Sequence, residues 1–316
     1  MSSSRSVRVP YLALKHLAGS DQPVFFDFLE NKVCGGGGVA ELTNSNCWAT
    51  PQGWVLVRSS SSTYLLDPHN NGVKIQLPHL PDEGQSTYCT CVLSDYPEPS
   101  SSCIVLLVET DTPVIWYCHT GGGGDDQGWV KHEFDIGTLP LPDLGDGCSE
   151  KLVISPVTAC QGKFYFNCDF KEIGVLDFCP APTFSSIAIR NAIVGPPGFR
   201  KVFMLESKQE LYMVSLLSAV DLNVVYRVMV HKMDFSKQEW CQVDDIGDRV
   251  FLLSSWYFGA SRSADDCGLE RNCIYVVYPW NKCLMIFNVR DGTSKVQDID
   301  KAPVSKQALW MLPAQS

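Results

Sequence analysis

Short apolar runs, each closed by turn-forming residues before a helix could complete several turns, recur along the whole sequence. Gly53-Trp54-Val55-Leu56-Val57 is one, residues 103–108 form another, and residues 273–278 a third. Strands of this length need only a few residues, whereas a stable helix needs ten or more. Many of the runs come in pairs. Residues 63–66 and 73–77 flank Asp67-Pro68-His69-Asn70-Asn71-Gly72, whose Asn-Gly step supplies the positive φ angles of a tight hairpin. Residues 114–118 and 129–134, 163–168 and 173–178, 202–205 and 210–214, 225–233 and 240–243, and 273–278 and 283–289 repeat the arrangement. Nineteen prolines and 24 glycines keep long helices from fitting between them. Residues 211–225 form the one helix-length segment. Their β-branched and aromatic content, without capping residues, reads instead as two strands joined near 218–223.

One internal similarity supports a repeating unit. Val114-Ile115-Trp116-Tyr117-Cys118-His119 leads through a turn to Trp129-Val130 and then Asp135-Ile136-Gly137. Val228-Met229-Val230-His231-Lys232-Met233 leads through a turn to Trp240-Cys241 and then Asp245-Ile246-Gly247. The spacing differs by one residue, which a β-bulge must absorb to keep the side chains facing alike. The chain reads as about 24 to 26 strand segments. At four strands per blade these make one all-β propeller of about six blades, with seven as the alternative. The blades are expected to be four-stranded and antiparallel. The propeller is placed at residues 10–312, after a flexible N-terminus at 1–9, and residues 7–14 read as an edge strand. Loops are expected at 35–38, 180–182 and 195–198.

The formal net charge of −10 and the lack of a basic cluster argue against nucleic acid and against an anionic membrane surface as partners. No segment has the ~20 consecutive apolar residues of a membrane-spanning helix. Fourteen cysteines without a CxxC pair fit free thiols in a reducing compartment, with Cys89 and Cys91 on one strand face. No cofactor or metal is expected. The acidic pairs Asp125-Asp126, Asp244-Asp245 and Asp265-Asp266 read as surface turn residues. The glycine run 121–124 lacks the context of a phosphate loop, and His231 reads as a half-buried strand residue. Arg5, Arg8 and Lys15, with no acid in the first 20 residues, leave a mitochondrial or plastid address as the alternative to a cytoplasmic or nuclear one.

Candidate partner-binding residues are Trp256, Tyr257, Phe258 and Arg262, with Trp280 at a hairpin tip. Trp, Tyr and Arg dominate interface hot spots, although the same aromatics also serve blade packing.

Six ordered segments carry a family resemblance. They are Gly53-Trp54-Val55-Leu56-Val57; Leu66-Asp67-Pro68 with Ile75-Gln76-Leu77-Pro78; Gly162-Lys163-Phe164-Tyr165; Leu205-Glu206-Ser207 with Glu210-Leu211-Tyr212; Met233-Asp234 with Trp240 and Ile246-Gly247-Asp248-Arg249; and Asn272-Cys273-Ile274-Tyr275. With them the chain resembles the plant F-box-associated β-propeller family, domain of unknown function 295, loosely called kelch-like. The resemblance implies a propeller that selects proteins for a ubiquitin ligase, the F-box docking on a Skp-type adaptor. The short segment ahead of the propeller does not accommodate an F-box. The expectation is therefore a non-enzymatic, target-binding or competing regulator with a protein partner and without the usual adaptor contact. A propeller enzyme, a carbohydrate binder or an organellar family member is the alternative.

Overall fold

A strand that is apolar on both faces must be covered on both faces, and the central strands here have that character. Residues 9–16, 24–34, 42, 45–70, 73–81, 89–97, 102–121, 128–141, 147–168, 171–179, 181–190, 199–218, 225–278 and 281–313 are described by the computed structural model. They form seven β-sheets, six arranged as the blades of a propeller and one a two-stranded hairpin, with almost no helix.

The first blade combines the two ends of the chain: β1 (Tyr11–His16), β2 (Val24–Asp27), β3 (Lys32–Val33) and β27 (Ser305–Met311), in the order β27-β1-β2-β3. The second holds β4 (Asn46–Ala49), β5 (Val55–Arg58), β6 (Thr63–Leu66) and β7 (Lys74–Leu77). The third holds β8 (Cys89–Leu93), β9 (Ile104–Glu109), β10 (Val114–His119) and β11 (Val130–Glu133). A small exposed hairpin, β12 (Thr138–Pro140) and β13 (Ser149–Lys151), follows it. The fourth holds β14 (Val157–Cys160), β15 (Lys163–Phe166), β16 (Glu172–Phe178) and β17 (Pro182–Ala188). The fifth holds β18 (Phe199–Ser207), β19 (Glu210–Ser218), β20 (Val225–Asp234) and β21 (Glu239–Gln242). The sixth contains β22 (Arg249–Leu253), β23 (Gly259–Ser263), the single-turn α1 (Ala264–Cys267), β24 (Cys273–Tyr278), β25 (Cys283–Asn288) and β26 (Ser294–Asp298).

The sixth blade departs from the four-stranded antiparallel plan of the other five. Its order is β23-β22-β24-β25-β26, five strands with β22 and β24 parallel. The chain enters at the second position, turns back through a hairpin to form the inner strand, and crosses by α1 to the far side of β22.

Alternation along each central strand builds the contacts between blades. Leu56 points into the cluster shared by blades two and three, while Val55 and Val57 point into the one joining blades six, one and two. Val105 and Leu107 face blade two, whereas Leu106 and Val108 face blade four. Met204 packs against blade four, and Phe203 and Leu205 pack against blade six. Period-two alternation thus feeds two cores at once, the pattern of a strand buried on both faces.

Several expectations change. β1 is not an edge strand, because β27 pairs along its length, from Tyr11 with Met311 to His16 with Ser305. The ring is closed by the last strand taking the inner position beside the first. Of the loop expected at 180–182, Ala181 is a bend, Pro180 lies outside the described residues, and Pro182 instead starts β17. Proline is tolerated there as the first residue of an outer strand. The helix-length segment is two strands, β19 and β20, as its composition implied. The paired repeats fall at equivalent places, β10 with β11 and β20 with β21, the third and fourth strands of blades three and five. The expected loops 35–38 and 195–198, the Asn71-Gly72 step and residues 1–8 lie outside the described residues.

Candidate docking site

The aromatic cluster singled out in the sequence forms the turn between β22 and β23. Trp256 and Tyr257 both have φ of +59°. The Phe258 amide donates to the Ser255 carbonyl at 3.4 Å, and the Ser254 amide donates to the Phe258 carbonyl at 3.1 Å. Positive φ at both central positions is the pattern of a type I′ turn, where Asn-Gly is the favoured pair. Bulky residues in this region are outliers, and each such position costs on the order of 1–3 kcal/mol.

The turn sorts its residues by side. Trp256 is 38% exposed, whereas Phe258 is only 6% exposed. Tyr257 is half-buried, with its ring centroid 6.0 Å from that of Phe203 on the neighbouring blade. Arg262, at 4% exposure, lies inside. Its Nε donates to the Pro313 carbonyl at 3.0 Å, its Nη1 donates to the Ser261 carbonyl at 2.7 Å, and burial lowers its pKa to about 10. Of the partner-binding candidates, Phe258 and Arg262 therefore lie in the interior. An aromatic inside a two-sided core and a guanidinium bonded to backbone carbonyls are not presented to a partner. Trp280 lies outside the described residues.

The tip is held in place by the close approach of two inner strands. A Cβ at Gly259 would stand 2.9 Å from the Met204 carbonyl oxygen. One step further, Ser261 Oγ lies 2.8 Å from Ser207 Oγ. β23 thus runs in the same direction as β18, and the Trp256-Tyr257 tip comes to rest beside the start of β18.

The described residues at that end of blade five include three cations. Arg200 and Lys201 open β18, and Arg227 opens β20; all three are exposed. Among the described acids of the blade, Glu210 pairs with Lys232 at 3.1 Å and Asp234 with Lys237 at 3.3 Å, both at the opposite end. Asp248, just before β22, takes Lys208 at 2.7 Å. Among the described residues, Lys201 and Arg227 have no ion-pair partner. The Lys201 Nζ lies 5.1 Å from the Phe203 ring centroid and 5.4 Å from that of Tyr257. Desolvation by its surroundings lowers its pKa. Tyr226, 51% exposed, stands near the start of β20. Sequence reading missed Lys201 and Tyr226. The only linear trace of the site is a strand whose first residues are cations and whose last charged residue is Glu206.

Other singled-out groups have structural partners. Asp245 pairs with Arg290, and Asp265 pairs with Arg271 at 2.5 Å. His231 is buried, and burial with nearby Arg200 lowers its pKa. Cys89 and Cys91 share one blade interface, and burial raises both thiols, that of Cys89 to about 12. Asp125-Asp126 and residues 122–124 lie outside the described residues. Among the described residues no group of three or more metal-ligating side chains occurs, and no helix is long and apolar enough to cross a membrane.

A six-bladed ring with an aromatic tip beside a cationic strand end defines a β-propeller with a candidate docking rim. The chain belongs to the KIB1-4 beta-propeller family, whose family model matches residues 25–300. The resemblance read in the sequence is met only as a β-propeller family; neither the domain of unknown function 295 assignment nor the kelch-like one follows from the match. No curated protein matches the sequence. Among solved structures, the chain is similar to a quinonprotein alcohol dehydrogenase-like protein from Bacteroides thetaiotaomicron. The identity is 12% and the TM-score 0.35, over 95% of this chain and 63% of that one. It is similar to BamB from Moraxella catarrhalis at 10% identity and TM-score 0.34, over 92% and 83%. It is also similar to a periplasmic gluconolactonase from Pseudomonas aeruginosa at 13% identity and TM-score 0.30, over 95% of each chain. The chain spans under two thirds of the first of these, and nothing about activity follows from any of them.

Proposed function

We propose that this chain is a non-enzymatic protein-interaction propeller that docks a protein partner through the rim formed by Trp256 and Tyr257. The observation that carries this reading is the pair of bulky aromatics in a turn geometry that Asn-Gly would fill without strain. Strain concentrates at functional sites, where the side chain's task outweighs the local cost. Trp and Tyr are also the residues that anchor interfaces. The resemblance to F-box-associated propellers sets the expected context, a target-binding or competing regulator in a ubiquitin-ligase-related pathway in the cytoplasm or nucleus.

Photo-crosslinking tests the reading. A photoreactive phenylalanine analogue at position 256 is expected to capture a discrete protein. Recovery of that protein by the untagged turn should drop at least ~10-fold with Trp256→Ala, the loss typical of a hot-spot residue. Partners recovered equally by the wild-type and Trp256→Ala chains would sink it.

A further inference from the structure

The docking reading leaves open what the partner presents, and Lys201 answers that question. We propose that the Lys201, Trp256 and Tyr257 site takes an acidic peptide segment, with one carboxylate on the Lys201 ammonium and a neighbouring apolar side chain against Trp256. The inference rests on the docking reading and deepens it.

Three observations converge. First, the ammonium is placed but not paired. It sits over two ring faces, 5.1 and 5.4 Å from their centroids, with no carboxylate among the described residues. Ring faces attract a cation and fix its position without neutralising it. An anion arriving there meets a charge that is already oriented. Second, the described charged residues at this end of blade five, Arg200, Lys201 and Arg227, are cations, with Lys201 on the strand face toward blade six, while the ion pairs Glu210–Lys232 and Asp234–Lys237 lie at the other end. Third, half-buried Tyr257 lies against the charge, and Trp256, its neighbour in the turn, is exposed. A carboxylate flanked by an apolar residue matches both halves.

The rest of the molecule selects against a polyanion. The chain carries a net charge of −10. Screening confines each charge to about 8 Å at physiological ionic strength. One carboxylate therefore responds to the local cations, whereas an extended phosphate backbone also meets a chain of net negative charge.

Panning random displayed peptides on the full chain tests this directly. Enriched sequences are expected to place Asp or Glu next to Leu, Ile, Phe or Trp. A synthetic peptide of the enriched core and its Asn/Gln copy are then compared by fluorescence polarisation. The amide copy is expected to bind at least ~10-fold more weakly. Lys201→Met should erase that difference, Lys201→Arg should keep it, and Trp256→Ala should weaken both peptides alike. Each variant's urea midpoint serves as the folding control. The acid preference should also fade as pH rises through the Lys201 titration, which begins below the ordinary lysine range.

If wild type does not distinguish the two peptides, or Lys201→Met still does, the carboxylate assignment is overturned. The docking reading then stands provided Trp256→Ala still weakens binding. If no peptide is enriched, or neither variant alters binding, both fall. Displacement of the peptide by single-stranded DNA at matched charge overturns the assignment in favour of nucleic acid.

Discussion

At the scale of single residues, the turn at 256–257 sets local stability against presentation. Two non-glycine residues at φ +59° hold the tip in a conformation that L side chains seldom adopt. Tyr257 recovers part of the cost through Phe203 and Lys201. Trp256 is 38% exposed. Trp256→Asn is therefore expected to raise stability by about 0.5–1 kcal/mol, because Asn tolerates the left-handed region at lower cost. The same change should abolish partner docking. Urea unfolding followed by far-UV circular dichroism measures the first effect and photo-crosslinking the second. A midpoint that falls would show that the indole contributes more to packing than its exposure implies.

At the scale of elements, the site depends on how closely β23 approaches β18. Gly259 faces a backbone oxygen, which cannot swing away as a flexible side-chain end could. Gly259→Ala is expected to cost about 1–3 kcal/mol by overpacking. It should also separate Ser261 from Ser207 and loosen the tip, so the urea midpoint and peptide affinity should fall together. An unchanged midpoint would mean that the two strands are not packed at this distance. The same region shows where sequence reading reaches its limit. Central strands such as β9 and β24 announce themselves, because burial on both faces leaves a continuous apolar run. Outer strands do not: β17 reads Pro-Thr-Phe-Ser-Ser-Ile-Ala and β26 reads Ser-Lys-Val-Gln-Asp, largely solvated. β23 is buried yet reads Gly-Ala-Ser-Arg-Ser, since an inner strand packed against its neighbours takes small side chains. Nor does a hairpin signal tell which side of β22 is left for β24, so the inverted order of the sixth blade has no linear trace. At the site, the aromatic cluster was visible at 256–258. Its division into exposed Trp256 and interior Phe258 and Arg262 depends on a turn geometry that its residue types disfavour. Lys201 belongs to another blade and comes near only through the fold.

At the scale of the whole molecule, the six blades form a ring, and the ring has one seam. In an open array each unit contacts only its neighbours, and the terminal units fray. Here β27 pairs with β1, so the first blade needs both ends of the chain. Trp310 anchors that seam. It is 0% exposed, its Nε1 donates to the Leu253 carbonyl of blade six at 3.0 Å, and it meets the Phe28 ring edge-on at 5.3 Å. One core cluster accordingly runs through blades six, one and two, whereas the other four each join a single pair of blades. Trp310→Ala removes the largest fully buried side chain and is expected to cost about 3–5 kcal/mol. Trp310→Phe keeps the ring volume near Phe28 but loses the hydrogen bond, so it should cost less. If closure makes the ring one cooperative unit, tryptophan fluorescence and far-UV circular dichroism should report a single shared transition in the wild-type chain. In Trp310→Ala the two probes should separate, because opening the seam frees blades six and one before the remaining blades unfold. Coincident transitions in that variant would show that cooperativity resides in the blade-to-blade contacts alone, with the seam contributing only its share of buried surface.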